Sequence, residues 1–126
     1  MARILVIDDS PTVALSMSKL LREDGHQVET VTDVQEVPGY LRESRPDLIL
    51  LDLEMPGLPG VEWAAFMRRS YAGRLLLVIH SSQPWAVLQE AARQVDAVGI
   101  VPKGAAADAV RCIINSALRR TARALG

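Results

Sequence analysis

The chain has 126 residues, 49% hydrophobic and 23% charged, with a net charge of −1; this suits one globular domain with a real core and gives no electrostatic case for nucleic-acid binding. The one cysteine, Cys112, excludes an internal disulfide, fits a reducing compartment, and reads as a small buried residue on a helix. No apolar run approaches the ~20 residues of a membrane helix, and Met1-Ala2-Arg3 leads into a strand with no signal peptide, so a cytoplasmic protein without membrane contact is expected.

The first strand is predicted over Arg3 to Ile7. Ser10 then suits an N-cap and Pro11 the first helical position, where a missing N–H costs nothing. The helix that follows runs to about Glu23, with Val13, Met17, Leu20 and Leu21 as its core stripe and Ala14, Leu15, Ser18 and Lys19 off it, near Asp9. Gly25 stops it. The second strand, Gln27 to Val31, mixes Gln27, Glu29 and Thr30 with valines and reads as an edge. A helix over about Val34 to Glu43 contains Pro38-Gly39, which should break or bend it.

Leu48 to Leu51 is a continuous aliphatic run ending in Asp52, the signature of a strand buried on both faces. A loop rich in Pro and Gly leads to a helix over about Val61 to Arg69. A strand over Arg74 to Ile79, a helix from about Pro84 to Gln94 and a strand over Ala97 to Val101 follow. The last helix spans about Ala106 to Ala124, with Val110, Ile113, Ile114 and Ala117 toward the core. Five strands alternating with five helices predict a doubly wound α/β domain, flavodoxin-like, with a parallel sheet in the order 2-1-3-4-5. In that order the ends of the first and third strands meet at the switch point, where such sheets bind ligands.

Chemistry-bearing residues stand at the ends of four strands. Asp8 and Asp9 follow the first, Asp52 the third, Ser81 and Ser82 the fourth, Lys103 the fifth. Three acids that close oppose one another's ionisation, and a hard divalent cation such as Mg²⁺ would relieve them. A carboxylate can attack a phosphoryl group, and such transfer needs chiefly positioning and positive charge. Asp52, alone at its strand end, is the best nucleophile. Asp9 with Asp8 would hold the metal, and Lys103 and Ser81 would bind the oxygens of the transferred group. His80 reads as strand-end packing; Trp85 reads equally as core or as an exposed contact.

These residues resemble the receiver domain of bacterial response regulators, the CheY-like family. The likeness rests on Ile-Asp-Asp-Ser at residues 7–10, on Leu-Leu-Asp-Leu-Glu-Met-Pro-Gly around Asp52, on Ser81 and Lys103, and on intervals of 43, 29 and 22 residues from Asp9 through Asp52 and Ser81 to Lys103. It implies that Asp52 accepts a phosphoryl group from a histidine kinase or phosphotransfer protein. It implies Mg²⁺ on the side chains of Asp9 and Asp52 and the Glu54 backbone carbonyl, with Asp8 acting through water. Ser81 would hydrogen-bond the phosphoryl group and Lys103 would pair with it. The output face would be the 84–94 helix, the 97–101 strand and the 106–124 helix. Glu54 and Gln83 stand at positions that tune dephosphorylation in this family.

Two departures stand out. Ile100 occupies the place of a Tyr or Phe, so the usual aromatic readout is absent. Gly104 follows Lys103 where the family has a proline in a cis peptide; a non-proline cis bond costs about 3–4 kcal/mol, so this loop is expected to be trans or strained. The whole chain, 1–126, is expected to be a single receiver domain with no output domain, signalling through a protein target and catalysing only its own phosphotransfer and dephosphorylation. Two alternatives stay open: a pseudo-receiver that binds without phosphate, and a receiver cut from a longer regulator. The target and any phosphorylation-dependent homodimer stay open too. A phosphatase or mutase of the haloacid-dehalogenase type is disfavoured, because Glu54 replaces the second aspartate and 126 residues leave no room for a cap.

Overall fold

A computed structural model describes residues 2–55, 62, 65, 66, 69 and 75–125, with side chains to residue 120. Five parallel strands form one sheet: β1 (Arg3–Ile7), β2 (Gln27–Val31), β3 (Leu48–Asp52), β4 (Leu76–Ser81) and β5 (Gly99–Pro102), in the order β2-β1-β3-β4-β5. The helices are α1 (Pro11–Glu23), α2 (Val37–Ser44), α3 (Trp85–Val95) and α4 (Ala107–Leu125). The helix expected over 61–69 lies largely outside the described residues; the described positions 62, 65, 66 and 69 are helical.

β3 is buried at every position, as its unbroken aliphatic run requires. β2 alternates buried valines with exposed Gln27 and Glu29, and it is an edge. Side-chain alternation divides the core into two layers. Leu5, Ile7, Ile49, Leu51, Leu77 and Ile79 pack with Leu41 and Leu88 on one face; Ile4, Val6, Leu48, Leu50, Val78 and Val101 pack with Leu21 and Ile114 on the other.

Several local expectations are corrected. In α1 the buried residues are Ala14, Met17, Ser18 and Leu21, while Val13 and Leu20 are half-buried. The helix meets the sheet on Met17 and Leu21, as expected, together with the small Ala14 and Ser18, and Val13 and Leu20 line a cavity of about 400 Å³ between α1 and the start of α4. Pro38-Gly39 breaks nothing. A 3₁₀ turn, Val34–Glu36, comes first, with Asp33 accepting the Gln35 amide, and α2 then starts at Val37, so Pro38 falls in a first turn that needs no N–H. β4 and β5 end later than expected because the ladder runs on through Asp52–His80 and Ser81–Pro102. Cys112 is exposed: two residues from both Val110 and Ile114, it lies on the far side of α4 from the core.

Candidate functional site

The carboxyl ends of β1, β3, β4 and β5 converge on one rim. The register pairs Ile7 with Leu51 and Asp52 with His80, so Asp8, Asp52 and His80 form one row across three neighbouring strands. The row continues the face of Leu50 and Val78, which places the acids over a packed hydrophobic layer. Asp8, Asp52 and Ser81 are all but fully buried; Asp9 is exposed.

Each buried polar residue is oriented by the backbone two positions on. Asp8 Oδ1 accepts the Ser10 amide at 2.9 Å, Asp52 Oδ1 the Glu54 amide at 2.9 Å, and Ser81 Oγ the Gln83 amide at 3.1 Å. These are the local turns that Asp and Ser favour where a strand gives out. The Ser81 hydroxyl acts as acceptor there, so its proton remains available to a ligand. Ser10 caps α1 as expected, accepting the Val13 amide at 3.3 Å.

Lys103 reaches in from the β5–α4 loop. Its Nζ lies 3.3 Å from Asp52 Oδ1 and 3.2 Å from Glu54 Oε2. The loop bends there through Gly104 at φ +88°, and the described residues contain no cis peptide. Proline is held near φ −65°, so the glycine suits this turn and a proline does not.

The charges shift one another. Burial pushes the Asp52 carboxyl above its ordinary value and the Asp8 charge adds to this; the Glu54 amide and Lys103 only partly offset them. Burial also opposes the Asp8 charge, but contact with His80, the Ser10 amide and Lys103 outweighs it and holds Asp8 below its ordinary value. Burial lowers the Lys103 ammonium, yet Glu54, Asp52 and Asp8 together raise it further, so the amine stays charged.

A cation fits this rim. Carboxylate oxygens of Asp8, Asp9 and Asp52 lie within 4.8 Å of one another. Asp8 Oδ2 and Asp52 Oδ2 are buried without a hydrogen-bond partner, an arrangement that is costly unless something positive lies against them. The donor set is all oxygen, which matches a hard ion such as Mg²⁺.

A model of the response regulator receiver domain matches residues 4–115. The chain belongs to this family. Receiver domains are signalling modules rather than classical enzymes, and membership implies a cognate histidine kinase. Curated relatives include the protein PilH of Pseudomonas aeruginosa, 40% identical over 62 residues, covering 49% of this chain and 51% of PilH. They also include the virulence transcriptional regulatory protein PhoP of Salmonella typhimurium, 31% identical over 85 residues, covering 68% of this chain and 38% of PhoP. The chain thus spans about half or less of these relatives. A response regulator receiver structure from Bermanella marisrubri superposes with a TM-score of 0.82 at 28% identity, covering 92% of this chain and 97% of that one. A CheY-like receiver from Methanospirillum hungatei has the same fold, with a TM-score of 0.87 at 18% identity, covering 98% of each chain. No helix among the described residues is long and apolar enough to cross a membrane.

Two features of this receiver were hidden in the sequence. His80 is more than strand-end packing: buried, it puts Nδ1 3.7 Å from Asp8 Oδ2. Ser82, placed at the end of the fourth strand with no role of its own, donates its hydroxyl to Glu54 Oε1 at 2.8 Å. Strand alternation could have found the first, since His80 shares parity with Val78. Nothing in the sequence links Ser82 to Glu54. Trp85 is 52% exposed and so is not core.

Proposed function

We propose that Asp52 is a phosphoacceptor and that the chain is one receiver domain signalling by protein contact. An Asp52 carboxylate oxygen attacks the phosphorus of a phosphohistidine on a histidine kinase or phosphotransfer protein. The P–N bond breaks, its electron pair leaves with the imidazole nitrogen, and an acyl phosphate forms. The observation that carries this reading is the Lys103 ammonium 3.3 Å from a buried Asp52 whose second oxygen has no partner. Asp8, Asp9 and Asp52, with the Glu54 backbone carbonyl, would hold Mg²⁺, which supplies positive charge to the phosphoryl oxygens when bound. Lys103 pairs with the arriving group, and Ser81 donates its free proton to it.

The donor docks on α1 beside Asp9, where Leu15 is 66% exposed and Lys19 is exposed. The target docks on α3, β5 and α4, where Trp85 and Val87 stand exposed at the start of α3. Incubation with acetyl phosphate or phosphoramidate and Mg²⁺ should label one site, and Asp52→Asn should abolish the label. Labelling that survives in that variant rejects the assignment. Wild-type protein that takes no label would favour the second reading, a phosphate-independent binding module, which Ile100 in place of the usual aromatic supports.

A further inference from the structure

Glu54 leaves the site backbone-first and then turns its side chain back over it. Its carboxylate is shared between two partners: Oε2 is 3.2 Å from Lys103 Nζ, and Oε1 accepts the Ser82 hydroxyl at 2.8 Å. The Ser82 amide also points at Oε2, at 3.5 Å. The Ser82 hydroxyl acts most strongly in holding the Glu54 carboxyl below its ordinary value, ahead of Lys103. Lys103 therefore carries two carboxylates, Asp52 at 3.3 Å and Glu54 at 3.2 Å.

We propose that Ser82 is a positioning residue of the phosphoacceptor site: its hydroxyl fixes Glu54 on Lys103, and loading of Asp52 has to break this tie. The inference rests on the phosphoacceptor reading above. Before transfer the ammonium lies between two anions. As the acyl phosphate forms, negative charge moves off the Asp52 carboxylate onto the phosphoryl oxygens, and Lys103 has to follow it outward. Glu54 held by Ser82 competes with the incoming group for the amine and keeps a like charge beside it. The tie thus slows loading and preserves the unphosphorylated state. It also joins the turn after β3 to the segment leading into α3.

The test uses Ser82→Ala, Ser82→Thr, Glu54→Ala, which keeps the backbone carbonyl, and the Ser82→Ala/Glu54→Ala double variant. Labelling by acetyl phosphate with Mg²⁺, followed by intact mass, should be about threefold faster in Ser82→Ala. Ser82→Thr, which retains the hydroxyl, should keep the wild-type rate. The double variant should match Glu54→Ala alone, because Ser82 acts only through Glu54. A Ser82→Ala effect that persists undiminished without Glu54, or no effect at all, overturns the proposal. A second readout needs no phosphate. Lys19 and Lys103 are the only lysines, so limiting acetic anhydride should raise the Lys103-to-Lys19 acetylation ratio in Ser82→Ala as Lys103 is released. An unchanged ratio overturns the tie whatever the labelling shows. A raised ratio in a protein that takes no phosphoryl group removes the phosphoacceptor reading and leaves the tie standing.

Discussion

The Lys103 ammonium stands 3.3 Å from the buried Asp52 carboxylate, and it faces a rim on which three acids converge. Local charge is therefore unbalanced by design of the fold, and most of what the domain should do under perturbation follows from that imbalance.

Asp52→Asn should stabilise the protein at neutral pH, by about 1 kcal/mol. The folded carboxyl is raised by burial and by Asp8, so folding favours its protonated form. That contribution is full below the ordinary carboxylate value and is lost as pH rises through the raised one. The gain from Asn should thus appear above this window and vanish in acid. Denaturant unfolding at a series of pH values checks both the sign and the window.

Mg²⁺ should raise the melting temperature of wild-type protein, and EDTA should reverse the shift. Saturation at 100 times the dissociation constant corresponds to about 2.7 kcal/mol. The shift should shrink strongly in Asp52→Asn and Asp9→Asn. A thermal-shift titration in which these variants respond as wild type does would remove the acids as the site.

His80→Val should destabilise by about 1 kcal/mol at neutral pH, because buried Asp8 loses a polar neighbour. Asp8 is held below its ordinary value, so its contribution is present above that value and is lost as pH falls. The difference between variant and wild type should close in acid. A pH-independent difference would reduce His80 to packing.

Arg45→Gly should stabilise by about 0.5 kcal/mol. Arg45 caps α2 at φ 45°, exposed and immediately before Pro46, a conformation glycine enters without strain. The gain is held down by the extra freedom of glycine in the unfolded chain. Chemical denaturation with unchanged m-value is the check.

Leu15→Asp should slow phosphotransfer from a cognate kinase at least tenfold, by loss of an apolar anchor at the interface. Labelling by a small-molecule donor should be unaffected, since Leu15 is 66% exposed on α1. Equal loss of both would place Leu15 in the fold rather than at the interface.

The sheet was legible because burial writes directly into strands. Leu48 to Leu51 has no polar interruption and β2 has several, and those facts alone place one at the centre and the other at the edge. The acids and Lys103 were legible because each closes such a strand. The α1 stripe was half legible: Met17 and Leu21 are buried as expected, but Ala14 and Ser18 take the places given to Val13 and Leu20, because hydrophobicity favours large residues whereas close packing on a sheet can select small ones. Cys112 was misread from residue type when its helical position decides. The Glu54–Ser82 bond joins residues 28 apart across two loops, and no periodicity encodes it.

The positive φ at Gly104 also constrains how this loop can vary. Space around its Cα is open, so a side chain would meet no neighbour there, yet almost every L-residue would be strained by the backbone angle itself. Replacement by proline would have to rebuild the turn that delivers Lys103. Substitutions at this position are therefore expected to be sparse in descendants of this gene even though nothing touches it, a mutational dead end set by torsion rather than by contact.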